Sequence, residues 1–286
     1  MDCAKAIGIA SANGRHILEF EGVDNVERPG PPLLCVPTTA GTGAEVSQFA
    51  IVTDATRRCK VAIVSKSLIP DAALIDPETT VTMPEDLTAH TGLDALTHAM
   101  EAYVSNASSP VTDLFAMEAM RLVRANLTRA IAVPDDLEAR GGMLLASLYA
   151  GMAFSNAILG AVHAMAHSLG GLLDLPHGLC NAILLDHVVE ANFGAAPARY
   201  ETIGRLLGGD IAPEASPEAR KEAVLATIRA LKAEAGVTMT LADLGVGPAN
   251  LRELAANARG DPCMLTNPRP LDPREIETIY EKASRA

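Results

Sequence analysis

Residues 141–173 contain no Asp, Glu, Lys or Arg. A stretch of that length must either face lipid or be sealed inside a protein core. Its contents decide between the two. His163, His167, Ser155 and Asn156 are polar, and Gly151, Gly160, Gly170 and Gly171 interrupt the apolar run. Ionisable groups inside a membrane are costly, and neither a basic flank nor an aromatic belt anchors the ends. The segment therefore predicts a pair of buried core helices and no membrane partner. With 49% hydrophobic and 20% charged residues over 286 positions, the chain can build the large core those helices need. At roughly 100–200 residues per domain, it fits one large domain or two ordinary ones.

The sequence changes character near residue 84. Before it, short apolar runs at 32–36, 49–53, 61–64 and 72–75, punctuated by Pro, Gly and Thr, predict buried strands, and 4–12 predicts the end of a helix. After it, residues 85–105, 110–131, 135–155, 159–173, 180–192, 196–207, 217–235, 248–258 and 273–283 read as helices. Pro110, Pro217, Pro248 and Pro273 stand where a first helical turn accepts proline. The expected fold class is α/β plus all-α, with an α/β unit over 1–84 and an all-helical unit over 85–286.

Twenty-three basic against 35 acidic residues leave a net charge of −12, and the longest basic run is Arg57-Arg58. Phosphate binding needs Lys and Arg concentrated on one face, so a nucleic-acid partner is excluded. The five cysteines (Cys3, Cys35, Cys59, Cys180 and Cys263) are odd in number and form no C-x-x-C pair. They predict free thiols in a reducing cytoplasm rather than a disulfide framework. Asp2 and Lys5 stand where a secretory signal would begin, and no apolar h-region leads to a cleavage site, so no signal peptide is expected.

Asp94 and His98 lie at i and i+4, as do His163 and His167 inside the uncharged stretch, and His177 follows between Pro176 and Gly178. Residues so spaced share one helical face and can share one ion. Burying these polar groups among apolar and Gly-rich neighbours is expensive unless they are coordinated or hydrogen-bonded. Imidazoles with a carboxylate and no thiolate suit Fe(II), Zn(II), Co(II) or Ni(II) with a position open for chemistry. His90 and His187 read as structural, and His16 as a surface residue. Residues 37–45, Pro-Thr-Thr-Ala-Gly-Thr-Gly-Ala-Glu, form a hydroxyl- and glycine-rich turn after an apolar run. Such a turn can present N–H groups and hydroxyls to an anionic or ribose-bearing ligand. It is neither a P-loop nor a G-x-G-x-x-G fingerprint.

Together these segments resemble the iron-containing (group III) alcohol dehydrogenases. The matching pieces are Met-Asp-Cys-Ala-Lys at 1–5, the turn at 37–45, Gly-Leu-Asp-Ala-Leu-Thr-His-Ala-Met-Glu-Ala-Tyr at 92–103, Gly-Ala-Val-His-Ala-Met-Ala-His-Ser-Leu-Gly at 160–170, Pro-His-Gly at 176–178 and Asn-Pro-Arg at 267–269. The resemblance implies a partial dinucleotide-binding α/β domain followed by a helical metal-binding domain, an architecture shared with dehydroquinate synthase-like lyases. It implies that Asp94, His98, His163 and His177 hold Fe(II), with Zn(II) as the alternative. It gives His167 a place beside the substrate, as a proton relay. Thr38, Thr39, Thr42, Ser47 and Lys60 are implied to contact NAD or NADP. The implied reaction moves a hydride between a small primary alcohol or diol, or its aldehyde, and the nicotinamide.

The alternative functions are a non-catalytic metal-binding or regulatory homologue and a lyase of the related class. Two departures from the family accompany the likeness. Its members carry a Gly-Gly-Gly-Ser turn and further sheet ahead of the segment matching Met1-Asp2, and they more often have Pro where this chain has Asp186. A parallel sheet lacking its first strands exposes an edge, so lowered stability or a covering partner is expected, with a homodimer favoured.

Overall fold

The structure is a computed structural model describing residues 1–57 and 59–285. Arg58, the second half of the basic pair, and the side chain of Cys59 lie outside the described residues. The chain starts with helix α1 (Asp2–Asn13), closed by Gly14 in the left-handed conformation at φ 63°, where its N–H reaches Ala10 O. Among the described residues five short strands follow: β1 (Gly22–Val23), β2 (Leu34–Cys35), β3 (Phe49–Asp54), β4 (Cys59–Val64) and β5 (Ala72–Ala73). β3 and β4 form an antiparallel hairpin, β1 joins β4 in parallel, and β2 pairs in parallel with β5.

Two of these strands correct the sequence expectation. The runs at 32–36 and 72–75 shrink to two residues each and are only partly buried: Cys35 is in the core, but Leu34 is 62% exposed and both residues of β5 are exposed. Pro31, Pro32 and Pro37 deprive the first run of ladder donors, and Pro77 follows the second. The sheet is also not all parallel. Too few residues separate β3 from β4 for a parallel crossover, so they close as a hairpin. Ile9, Phe20, Ala50, Ile63 and Leu68 make a small core between α1 and this hairpin.

From Glu85 onward the described elements are helical: α2 (Glu85–Val104), α3 (Pro110–Ala132), α4 (Leu137–Ala157), α5 (Ala161–Leu173), α6 (His177–Asn192), α7 (Pro197–Leu206), α8 (Pro217–Glu234), α9 (Pro248–Gly260) and α10 (Pro273–Ala283), with short 3₁₀ turns between some of them. Most termini fall within two residues of the sequence reading. α6 begins three residues earlier than expected, which makes His177 its first residue.

The uncharged stretch is α4 plus α5, bent by 100° at a break where Ile158 takes φ 60° and Gly160 caps the second helix. Both are mostly buried, and among the described residues no single helix is long and apolar enough to cross a membrane. α2 lies at the centre, packed against α3, α4 and α6, with Leu93, Leu96, Ala99 and Met100 sealed from solvent. Glu85 and Asp86 occupy its first turn, where they oppose the positive end of the helix dipole. Asp186 ties α6 to α8 by accepting from Arg229 Nε at 2.9 Å and Lys232 Nζ at 2.5 Å. The position that departs from the family pattern thus carries a buried ion pair. The thiols of Cys3, Cys35, Cys180 and Cys263 are free.

Candidate metal centre

Three helices bring the predicted ligands together. α2 supplies Asp94 and His98 one turn apart, α5 supplies His163, and α6 supplies His177 from its first turn. Asp94 Oδ1 lies 4.0 Å from His98 Nε2, 3.5 Å from His163 Nε2 and 3.7 Å from His177 Nε2. The donor atoms of Asp94, His98 and His163 all fall within 4.8 Å of one another. Those three residues are buried, whereas the His177 side chain keeps 40% exposure, so the cluster opens to solvent on the His177 side.

The rings are oriented from behind. His98 Nδ1 donates to Gly41 O at 3.1 Å, and His163 Nδ1 donates to Glu101 Oε2 at 2.6 Å, which leaves both Nε2 atoms facing Asp94. Phe154 stacks on His98 with ring centroids 4.5 Å apart, and His163 stacks on His98 at 4.4 Å. Burial opposes ionisation of Asp94, yet the imidazoles of His98, His177 and His163 together hold its carboxyl well below the usual range. Burial pulls His98 down to about 4 against the attraction of Asp94. At His163 burial works against the charged ring while Glu101 and Asp94 favour it, so the two influences oppose each other.

Three imidazole nitrogens and one carboxylate oxygen converging without a thiolate fit a borderline divalent ion. A second observation agrees with that fit. Asn181 sits fully buried against the same donors with its Oδ1 unpaired. His167 stands one turn beyond His163, stacked on His177 at 5.4 Å, with Nδ1 2.9 Å from Asp261 Oδ2. It is beside the ligand cluster and partly exposed. His90 and His187 are half-buried and take no part in these contacts, and exposed His16 caps the turn at Ile17–Phe20.

The Thr/Gly-rich turn is joined directly to this centre through Gly41 O. Gly43 adopts φ 57°, and a Cβ there would lie 2.7 Å from Gly151 Cα of α4. Only glycine permits both the backbone and the approach. Thr38 and Thr42 are exposed and Thr39 half-buried on the outer side of the turn. Ser47 is instead buried, its carbonyl and hydroxyl accepting from Lys5 Nζ at 2.7 and 3.3 Å. Lys60 is exposed on β4, where Nζ donates to Thr53 Oγ1 at 2.9 Å. Its Cε lies 4.0 Å from where a Cβ on Gly170 of α5 would be.

Three participants escaped the sequence reading. Glu101 lies seven residues after Asp94, and Asn181 four residues after His177, so helical spacing could have found both. Asp261 comes from a distant turn and had no local signal.

Comparison with known proteins places the chain in a family. The profile of the iron-containing alcohol dehydrogenases matches residues 1–77, and that of the C-terminal part of the Fe-containing alcohol dehydrogenase family matches residues 88–284. The 1,3-propanediol dehydrogenase of Klebsiella pneumoniae is 43% identical over 282 residues, covering 99% of this chain and 73% of that protein. The NAD-dependent methanol dehydrogenase of Bacillus methanolicus is 40% identical, with 99% and 74% covered. Among solved structures, a 1,3-propanediol oxidoreductase superposes with a TM-score of 0.95 at 42% identity, covering 99% of this chain and 74% of that one. With a partial α/β unit, a helical body and an Asp-His-His-His cluster between three helices, the chain belongs to the iron-containing alcohol dehydrogenase family.

Proposed function

We propose that this alcohol dehydrogenase oxidises small primary alcohols and diols with NAD or NADP, holding Fe(II), or Zn(II) in its place, on Asp94, His98, His163 and His177. The convergence of those four donors on three helices, with His98 tied to the Thr-rich turn through Gly41 O, carries the reading. The relatives named for 1,3-propanediol and methanol support the substrate class. When bound, the ion supplies Lewis acidity toward the alcohol oxygen and the nicotinamide supplies the hydride acceptor.

The chain's own groups do the rest. Asp94 stays ionised and the imidazoles present their Nε2 lone pairs, so the donor set is assembled before any ligand arrives. Asp261 holds the proton of His167 at Nδ1, which leaves His167 Nε2 as the atom that takes up the alcohol proton and passes it outward. Phe154 and the buried face of α2 exclude water behind the site. The hydroxyls of Thr38, Thr39 and Thr42, together with Lys60, line the nucleotide's path. Ser47 supports the turn through Lys5 rather than by reaching outward.

The chain divides near residue 84 into a nucleotide-facing unit and a metal-bearing unit. It works in the cytoplasm as a homodimer that covers exposed Leu34 and Leu74 beside the β2–β5 pair. Sedimentation equilibrium at two loading concentrations checks the dimer.

Nicotinamide reduction by Fe(II)- or Zn(II)-loaded protein, over methanol, ethanol, 1-propanol and 1,3-propanediol, tests the activity. Metal-dependent turnover is expected, and His163→Ala should abolish it along with the bound metal. A protein that holds the ion in the wild-type site yet reduces no cofactor with any of these substrates refutes the proposal.

A further inference from the structure

Asn181 lies on α6, one turn after His177, and is entirely shielded from solvent. Its amide nitrogen approaches Asp94 Oδ1 at 2.6 Å, His163 Nε2 at 3.1 Å and His177 Nε2 at 3.1 Å. Three of the four ligand atoms assigned to the metal therefore meet at one amide group. Its two hydrogens serve Asp94 and one of the two imidazoles, so they occupy lone pairs that a divalent ion would need. The other end of the same amide is wasted: among the described residues, Oδ1 is buried with no hydrogen-bond partner. Leaving a buried carbonyl oxygen unpaired is costly, and such an atom calls for a reason.

We propose that Asn181 is the placeholder of the metal centre, its amide hydrogens holding Asp94 and the neighbouring imidazoles in register until an ion displaces them. Without that amide, a buried carboxylate and two imidazole lone pairs would face one another with no donor between them, a repulsive and poorly solvated arrangement. The amide thus stabilises the metal-free protein and by the same contacts competes with the ion. A cation that takes the lone pairs leaves the N–H groups pointing at positive charge. Rotation about the Cβ–Cγ bond would turn those N–H groups away, using no group that the side chain does not already carry. The role rests on the metal-centre reading above, and it predicts opposite effects on two quantities that a merely structural residue would move together.

The test uses Asn181→Leu, which keeps the forked side-chain shape but is bulkier and unable to hydrogen-bond. Protein stripped with a chelator is melted, and Co(II) affinity is then measured by competition with a chromophoric chelator. The metal-free variant should melt below the wild type, while its Co(II) dissociation constant should become about tenfold smaller, the scale of losing one charge-assisted hydrogen bond as competitor. Unchanged or weaker Co(II) binding in the variant overturns the placeholder role, because Asn181 would then be idle or a supporting donor. Wild-type protein that binds no Co(II), or binds it equally after His163→Ala, instead overturns the metal-centre reading itself. Asn181→Ala, which cannot overpack the site, carries the same comparison if the leucine variant does not fold.

Discussion

Glu101 commits both carboxylate oxygens to the start of α5. Oε1 accepts from Val162 N at 2.7 Å and Oε2 from His163 Nδ1 at 2.6 Å. An ionised carboxylate can only accept, so the proton of His163 belongs on Nδ1 and the lone pair on Nε2, toward Asp94. Glutamine at this position reverses the logic. Its carbonyl would still serve Val162, which turns the amide nitrogen to His163 Nδ1 and moves the ring proton to Nε2, where it blocks the ion. Glu101→Gln should therefore weaken Zn(II) binding by roughly 10–100-fold, the range typical of such outer partners, with little change in the melting temperature of the metal-free protein. Chelator competition reads the affinity. Binding as tight as wild type would mean that the tautomer is set by something other than Glu101.

At the scale of elements, the turn at 37–45 is pinned between two helices. Gly41 O holds His98 of α2, and Gly43 N donates to Ser147 Oγ of α4 at 3.2 Å. Gly43→Ala combines a side chain at φ 57° with a Cβ 2.7 Å from Gly151 Cα, and neither backbone can give way cheaply. Strain of this kind, with a forced backbone shift, should cost about 2–4 kcal/mol in a urea melt. The shifted Gly41 carbonyl should also weaken cofactor and metal binding together. An alanine variant as stable as wild type would show that the turn stands clear of α4.

Helices were legible in the sequence because proline at their first turns and apolar spacing are local signals, as Pro110 and Pro273 illustrate. Asp94, His98 and His163 were legible for the same reason, as i and i+4 pairs in otherwise apolar surroundings. The strand pairing was not. The length of β2 depends on flanking prolines, and its partner β5 lies far along the chain, so register is decided by contacts that no window contains. Asp261 behind His167, and Lys5 behind Ser47, were hidden for the same physical reason.

Across the whole molecule, one buried cation links the first helix to the turn that faces the metal centre. Lys5 of α1 is 3% exposed and donates to Ser47 O, Ser47 Oγ and Phe49 O. Burial lowers its pKa from 10.5 to about 8, against the opposing attraction of Asp2, Cys35 and Glu45. The sign of the stability effect follows from proton counting. Between about pH 8 and 10.5 the unfolded chain keeps the Lys5 proton while the folded chain has released it, so the unfolded state binds more protons and this group's contribution to stability rises with pH. Below that window the full penalty for burying the ammonium applies, and above it the penalty is gone. At about 1.4 kcal/mol per unit, the change across the window is on the order of 3 kcal/mol. Lys5→Met removes the titrating group but leaves the other ionisable side chains in place. Comparing urea unfolding of the two proteins at pH 7.5 and pH 10 therefore isolates Lys5, since the remaining titrations cancel in the difference. The wild type should gain on the variant by about 2–3 kcal/mol between the two pH values. A difference that stays flat would mean that the three oxygen acceptors, and not burial, set the protonation of Lys5 in the folded chain.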